Sequence, residues 1–160
     1  MTVRDESAPA GNPREAAQQA IAQASGTLRV ATRGKGFADI TGDVGRWLGS
    51  IAAGEGLLTC FIRHTSASLL IQENADPDVL RDLSDALAGF APERVAYRHD
   101  SEGPDDMPAH IRTVLTGVSL SIPVLGGVMR LGVWQAIYVA EHRSAPHTRE
   151  VALHFIGSTR

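Results

Sequence analysis

Three polar clusters interrupt an otherwise apolar pattern, and each holds residue types that do chemistry. The first is Arg63-His64-Thr65-Ser66, set between two apolar runs. The second is the polar stretch from His99 to His110, with Asp100, Glu102, Asp105 and Asp106 between the two histidines. The third is Trp134-Gln135, with Glu141-His142-Arg143 further along an apolar region. An imidazole can take a proton or bind a metal near neutral pH. His64 therefore reads as a general base or metal ligand beside the hydroxyls of Thr65 and Ser66, or more plainly as a hydrogen-bonded cap on a strand. His99 and His110 flanking an acidic loop read as a site for a divalent metal, with Asp106, Asp105 or Glu102 as partners, or as two imidazoles on a solvated loop. Their spacing matches no strong zinc signature. His142, His147 and His154 read as structural.

Other chemistries find less support. Ser66 near His64 invites a hydrolase triad, but no G-x-S-x-G elbow is present. No phosphate loop ending in G-K and no dinucleotide fingerprint occurs. Arg33-Gly34-Lys35-Gly36 reads as a hairpin tip that could also hold an anion. Trp47 reads as core or interface. Trp134 reads as core packing or as an aromatic wall over a substrate ring.

These clusters must be carried by one domain, because 160 residues divided in two would leave each half short of core. The formal charge of −3 argues against a partner read through its phosphates, so no nucleic-acid role is expected. No apolar run reaches the ~20 residues of a membrane helix. The single cysteine, Cys60, excludes an internal disulfide and lies within the apolar run 57–62, where it reads as a buried small hydrophobe. With no apolar signal core near the N-terminus, a cytoplasmic location is expected.

Residues 1–26 read as a mobile tail with a short helix over 13–24, and residues 27–160 as a single domain. From Thr27 the alternation of Leu28 and Val30 with Arg29 and Ala31 is that of a strand. Val44, Trp47, Leu48 and Ile51 share one face of a helix expected over 39–51. Strands are expected at 56–63 and 67–72. The clearest helix covers 77–88, with Asp76 as N-cap, Pro77 at the first helical position and Gly89 at its close. Residues 98–112 read as a long irregular loop leading into a short helical turn. Strands follow at 118–122, 128–134, 136–141 and 150–156, with a Gly126-Gly127 hairpin. Seven strands and two or three helices, joined by short turns, give an α+β fold of packed antiparallel β-sheets, sandwich-like.

Five ordered segments carry a resemblance to the YjbQ-like family over roughly residues 28–157. They are His64-Thr65-Ser66-Ala67-Ser68, the run from Glu73 to Val79, the run from Glu102 to His110, Leu131 to Gln135, and Glu141-His142-Arg143. Two positions depart from the expected pattern: Val133 stands where threonine is usual and Ala136 where glycine is usual.

The resemblance implies a β-rich α+β fold, a homotrimer with its site near a subunit boundary, and a secondary thiamine-phosphate synthase activity. That reaction joins an aminopyrimidine-methyl diphosphate to a thiazole phosphate and releases pyrophosphate. It assigns catalytic roles to His64, His110 and Glu141, and substrate contacts to Thr65, Ser66, Asn74, Trp134, Gln135 and Arg143. A divalent metal, magnesium or zinc, would be held by His99, Asp106 and His110. Arg143 and Arg112 could offer forked donors to phosphate. The alternatives are a metal-dependent hydrolase of a small phosphate ester and a non-catalytic trimer that binds a phosphorylated metabolite.

Overall fold

The computed structural model describes residues 21–160. Eight strands and three helices follow one another in the order β1 (Ala22–Thr32), β2 (Gly36–Asp39), α1 (Thr41–Ser50), β3 (Ala53–Ile62), β4 (Ala67–Glu73), α2 (Pro77–Phe90), α3 (Asp106–Thr116), β5 (Ser119–Leu125), β6 (Val128–Met129), β7 (Gln135–Glu141) and β8 (His147–Thr159). They build two antiparallel sheets. One has the strand order β1-β8-β3-β5-β6 and the other β2-β7-β4. The expected α+β fold of packed antiparallel sheets is the one observed.

Alternation explains how the sheets meet. Leu58, Cys60 and Ile62 of β3, and Val151, Leu153 and Phe155 of β8, point to one side of the larger sheet. Leu69 of β4 and Ile137 and Val139 of β7 face them from the smaller sheet, and Val44 and Leu48 of α1 close one end. Burial pushes the Cys60 thiol up to about 12, so it packs as an inert hydrophobe. Trp47 of α1 leans on β1 at Gly26, where a Cβ would run into the indole.

The outer face of the smaller sheet is covered by helices. Ser68 has the opposite parity to Leu69 and bonds to Thr116 of α3 at 2.6 Å. Arg112 of α3 reaches the Leu87 and Ala91 carbonyl oxygens at the end of α2, at 3.3 and 2.9 Å. The outer face of the larger sheet has no cover among the described residues. Leu57, Phe61 and Ile156 are exposed there by 40, 45 and 39%.

Several boundaries differ from the expectation. Residues 13–20 of the expected N-terminal helix lie outside the described residues, and from Ala22 the chain is strand, paired with β8 from Gly157 onward. The strand expected over 128–134 stops at Met129, because the chain turns and Gln135 Oε1 accepts a bond from the Gly132 N–H at 2.8 Å. β2 adds a strand where a turn was expected. α2 begins as expected, with Asp76 accepting from the Asp78 N–H at 2.9 Å, but runs through Gly89 to Phe90. The short turn expected after the polar loop is an eleven-residue helix, α3. Pro108 sits in its first turn, where a missing N–H breaks no intrahelical bond.

Candidate metal centre

α3 begins at the end of the polar loop, and its first turns carry Asp106 and His110 four residues apart, on one face. The loop returns His99 to the same place. His99 Nε2 lies 2.7 Å from Asp106 Oδ2, and His110 Nε2 lies 3.4 Å from the same oxygen. The two rings stand 5.6 Å apart between centroids. Their three potential ligand atoms fall within 4.8 Å of one another, so the residues expected to hold a metal are brought together. Asp106 is buried, while His99 and His110 stay partly open to solvent.

The surrounding bonds set the donor atoms. His110 Nδ1 lies 2.9 Å from the Thr65 carbonyl oxygen, which can only accept. The proton is thus on Nδ1, and Nε2 presents a lone pair toward the Asp106 carboxylate. Two acceptors do not face each other at 3.4 Å without a positive charge between them. A second ring proton or a metal cation meets that need. Two imidazoles and one carboxylate, with one imidazole oriented by a backbone carbonyl, form a donor set of the kind that holds a transition metal and leaves a position open.

Arg143 fixes the carboxylate from behind. Its Nη1 pairs with Asp106 Oδ1. Its Nε donates to Asp105 Oδ2 at 3.2 Å and its Nη2 to the Glu102 carbonyl at 2.8 Å. All three nitrogens are engaged within the protein, so the fork expected to meet a phosphate instead ties the 102–106 loop to the end of β7. Burial pushes the Asp105 carboxyl up, but the Ser144 N–H at 2.7 Å and Arg143 outweigh it and hold it below its ordinary value.

Beside this centre lies a second buried cluster. Glu141 accepts from Arg149 Nε at 2.7 Å and Nη2 at 2.5 Å, from the Thr32 hydroxyl at 2.7 Å and from the Arg143 N–H at 2.9 Å. Burial raises its pKa, and these donors together bring it below the ordinary carboxylate value. His64 Nε2 accepts from the Glu150 N–H at 2.9 Å. That bond puts the ring proton on Nδ1, so the 3.4 Å approach of Arg149 Nη1 to Nδ1 is a contact between two donors. Burial and then Arg149 hold His64 below its ordinary value. The acceptor atoms expected to move protons on Glu141 and His64 are therefore occupied by the protein's own donors.

Thr65 contributes its carbonyl oxygen to the centre. Ser66 lies in the same turn, its carbonyl 3.5 Å from Arg149 Nη2. Asn74, Trp134 and Gln135 are elsewhere. The Asn74 N–H donates to the Trp134 carbonyl at 3.1 Å, and Gln135 pairs with Glu73 in the sheet. Six residue steps along β7 lead from Gln135 to Glu141, about 20 Å along a strand, so these three stand at the opposite end of the smaller sheet from the triad. Val133 is exposed by 80% beside Trp134 at 62%, whereas Ala136 is buried.

Sequence reading missed Arg149 and Thr32, although the signal was present. Arg149 has the parity of Val151, Leu153 and Phe155, and Thr32 that of Leu28 and Val30, so both had to point inward.

The comparisons with known proteins agree with this fold. A relative from Synechocystis sp., UPF0047 protein sll1880, is 49% identical over 131 residues, covering 81% of this chain and 89% of its own. UPF0047 protein YjbQ of Salmonella typhimurium is 42% identical, covering 73% of this chain and 86% of its own. The crystal structure of hypothetical protein APE1520 from Aeropyrum pernix superposes with a TM-score of 0.78 at 30% identity, over 84% of this chain and 99% of that one. Protein TT1486 of Thermus thermophilus gives a TM-score of 0.71 at 37% identity, over 79 and 96%. Residues 26–158 match the family described as UPF0047 protein YjbQ-like, and the chain belongs to that family.

Proposed function

We propose that the chain is a metal-dependent transferase for a small phosphorylated metabolite, of the thiamine-phosphate synthase type implied by its family resemblance. In that reaction the bond from a methylene carbon to a diphosphate oxygen breaks. The same carbon bonds to the nitrogen of a thiazole phosphate, and pyrophosphate leaves with the electron pair. Negative charge grows on the departing oxygens; His99, Asp106 and His110 would hold a cation, and its charge would supply neutralisation there. The observation that carries this reading is the convergence of His99, Asp106 and His110, with His110 Nε2 turned toward the Asp106 carboxylate by the bond of its Nδ1 to Thr65. The nitrogen-rich donor set favours zinc or a similar metal over magnesium, which prefers oxygen ligands.

In this reading Arg143 and Thr65 are positioning residues for Asp106 and His110. Glu141 and His64 hold the neighbouring strands rather than transfer protons. Asn74, Trp134 and Gln135 reach a triad only from another copy. A homotrimer is part of the proposal, supported by the uncovered face of the larger sheet around Leu57, Phe61 and Ile156. A hydrolase of phosphate esters is the second reading, favoured by the coordination position that three protein ligands leave for water.

The test is thiamine-phosphate formation from the two phosphorylated precursors with zinc or magnesium, in the protein and in its His110→Ala variant. A drop of at least about tenfold in the variant is expected, as a transition-state contact of ~1.4 kcal/mol would give. Equal formation in both samples would remove the reading. Phosphate release without the thiazole acceptor would replace it with the hydrolase.

A further inference from the structure

On the far side of α3 from the triad lies a cavity of about 80 Å³. Arg112, two residues beyond His110 and hence on a different face of the helix, forms part of its wall, with Lys35, Glu93 and His142. Phe37, Leu87, Ala88 and Ala140 supply apolar sides. The segment 33–36, which reads in the sequence as a hairpin tip able to hold an anion, is here brought against Arg112.

Arg112 is exposed by only 5%. Its Nε and Nη2 are held by the Leu87 and Ala91 carbonyls at the end of α2. Among the described residues Nη1 has no hydrogen-bond partner, yet no fully buried side-chain nitrogen or oxygen lacks one. Arg112 itself lines the cavity, and Nη1 is the guanidinium nitrogen that the two carbonyls leave for a ligand. A guanidinium clamped in this way has little freedom left to lose on binding an anion. Lys35 is the second cation. Its ammonium pairs with Glu93 Oε1, which also lies 3.6 Å from Arg112 Nη2. Glu93 is thus a carboxylate placed between two cations. Its side chain and that of Lys35 are about one-third exposed, at 33 and 34%, so both can swing outward. The Glu141 charge on the same wall is already matched by Arg149. His142 adds no charge at neutral pH, because burial and then Arg112 lower it to about 4.

We propose that the cavity between Arg112 and Lys35 is a subsite for the phosphate group of a small phosphomonoester, and that Glu93 holds the oxyanion's place in the free protein. Two cations match a phosphate dianion once the Glu93 carboxylate turns to solvent. The body of the ligand has room next door. A second cavity of about 290 Å³ shares Lys35, Gly36, Phe37 and Glu141 with the first and continues along Ala31, Thr32 and Arg33. The assignment shares with the proposed function the expectation of a phosphorylated ligand, but stands on a cavity separate from the triad.

The experiment is calorimetric titration of the full chain with inorganic phosphate at constant ionic strength, chloride serving as the control anion. Lys35→Ala weakens phosphate binding by about tenfold, the scale of one charge-assisted contact. Glu93→Gln strengthens it several-fold, because it removes the competing carboxylate and leaves both cations. His110→Ala leaves it within about twofold. Thermal melts in phosphate-free buffer confirm that each variant is folded. Binding unaffected by Lys35→Ala and Glu93→Gln overturns the assignment, as does binding lost only in His110→Ala, which would place phosphate at the triad. Absence of phosphate binding at millimolar concentration also overturns it. A positive result together with no thiamine-phosphate formation would leave this subsite standing and remove the transferase reading.

Discussion

The Glu141 carboxylate and the Arg149 guanidinium meet through two bonds, at 2.7 and 2.5 Å, with side chains exposed by only 1 and 5%. They tie the last residue of β7 in one sheet to β8 in the other. Removing one partner leaves a buried charge with no counter-charge, which typically costs about 3–5 kcal/mol. Arg149→Met and Glu141→Gln are each expected to lower unfolding free energy on that scale, and the double variant less than their sum, as denaturant melts in a double-mutant cycle will show. The acid response has a definite sign. The Glu141 pKa lies below its unfolded value, so its contribution is whole above the ordinary carboxylate range and is lost as pH falls through the folded value. Wild-type stability declines through that acid window, and Glu141→Gln is expected to flatten that part of the curve.

Metal binding is expected to stabilise the folded chain through His99, Asp106 and His110. Free zinc at about one hundred times its dissociation constant contributes about 2.7 kcal/mol. Thermal melts should rise with added zinc and fall back with chelator. His110→Ala and Asp106→Asn should abolish the rise, while His154→Ala, on the outer face of the larger sheet, should retain it. A rise of equal size in all four proteins would show that the metal binds elsewhere.

His142 supplies a pH reporter inside the fold. Its Nε2 lies 2.8 Å from the Ser68 hydroxyl, and burial followed by Arg112 lowers it from the ordinary 6.5 to about 4. Between those values the unfolded chain binds a proton that the folded chain does not, so stability rises with pH across this window and is complete above it. The difference is on the order of 3 kcal/mol. An NMR titration should find the His142 ring neutral down to about pH 5, and His142→Asn should lose the slope. A ring that titrates near 6.5 would contradict the burial described for it.

The uncovered face of the larger sheet predicts self-association. Phe61→Arg places a charge among Leu57, Ala152 and Ile156 without touching the core, since Phe61 has the opposite parity to Cys60 and Ile62. Sedimentation of the wild type as a trimer and of the variant as a monomer is the expected pair of results. A monomeric wild type at micromolar concentration would remove the trimer from the proposal.

How much of this was legible follows from what each segment buries. β3 carries a short apolar run behind a glycine pair, β8 places Val151, Leu153 and Phe155 at alternate positions, and α2 carries Asp76 and Pro77 at its start, so their types could be read directly. α3 could not, because its buried face includes Asp106 and Arg112, charged residues that periodicity assigns to solvent. β2 spans four residues after a glycine turn, too few to show a period. The grouping of His99, Asp106 and His110 was readable because one loop and one helical turn contain all three. The pairing of Glu141 with Arg149, and the placing of Arg112 and Lys35 on one cavity, depend on sheet register and helix placement. The strand expected over 136–141 already set Gln135 and Glu141 at opposite ends, a separation that the grouping of both into one site overlooked.

The larger sheet is closed by its most distant partners. β8 runs between β1 and β3, and Ala22 of the first strand lies opposite Gly157 of the last. During synthesis β1 emerges early but has no ladder to join until β8 has left the ribosome. Its eleven residues therefore wait as an unpaired edge while more than a hundred further residues are made. Such long-range closure slows folding and exposes a strand to pairing with other chains in the interval. Shortening β8 would remove one strand and also leave β1 with no place in the sheet.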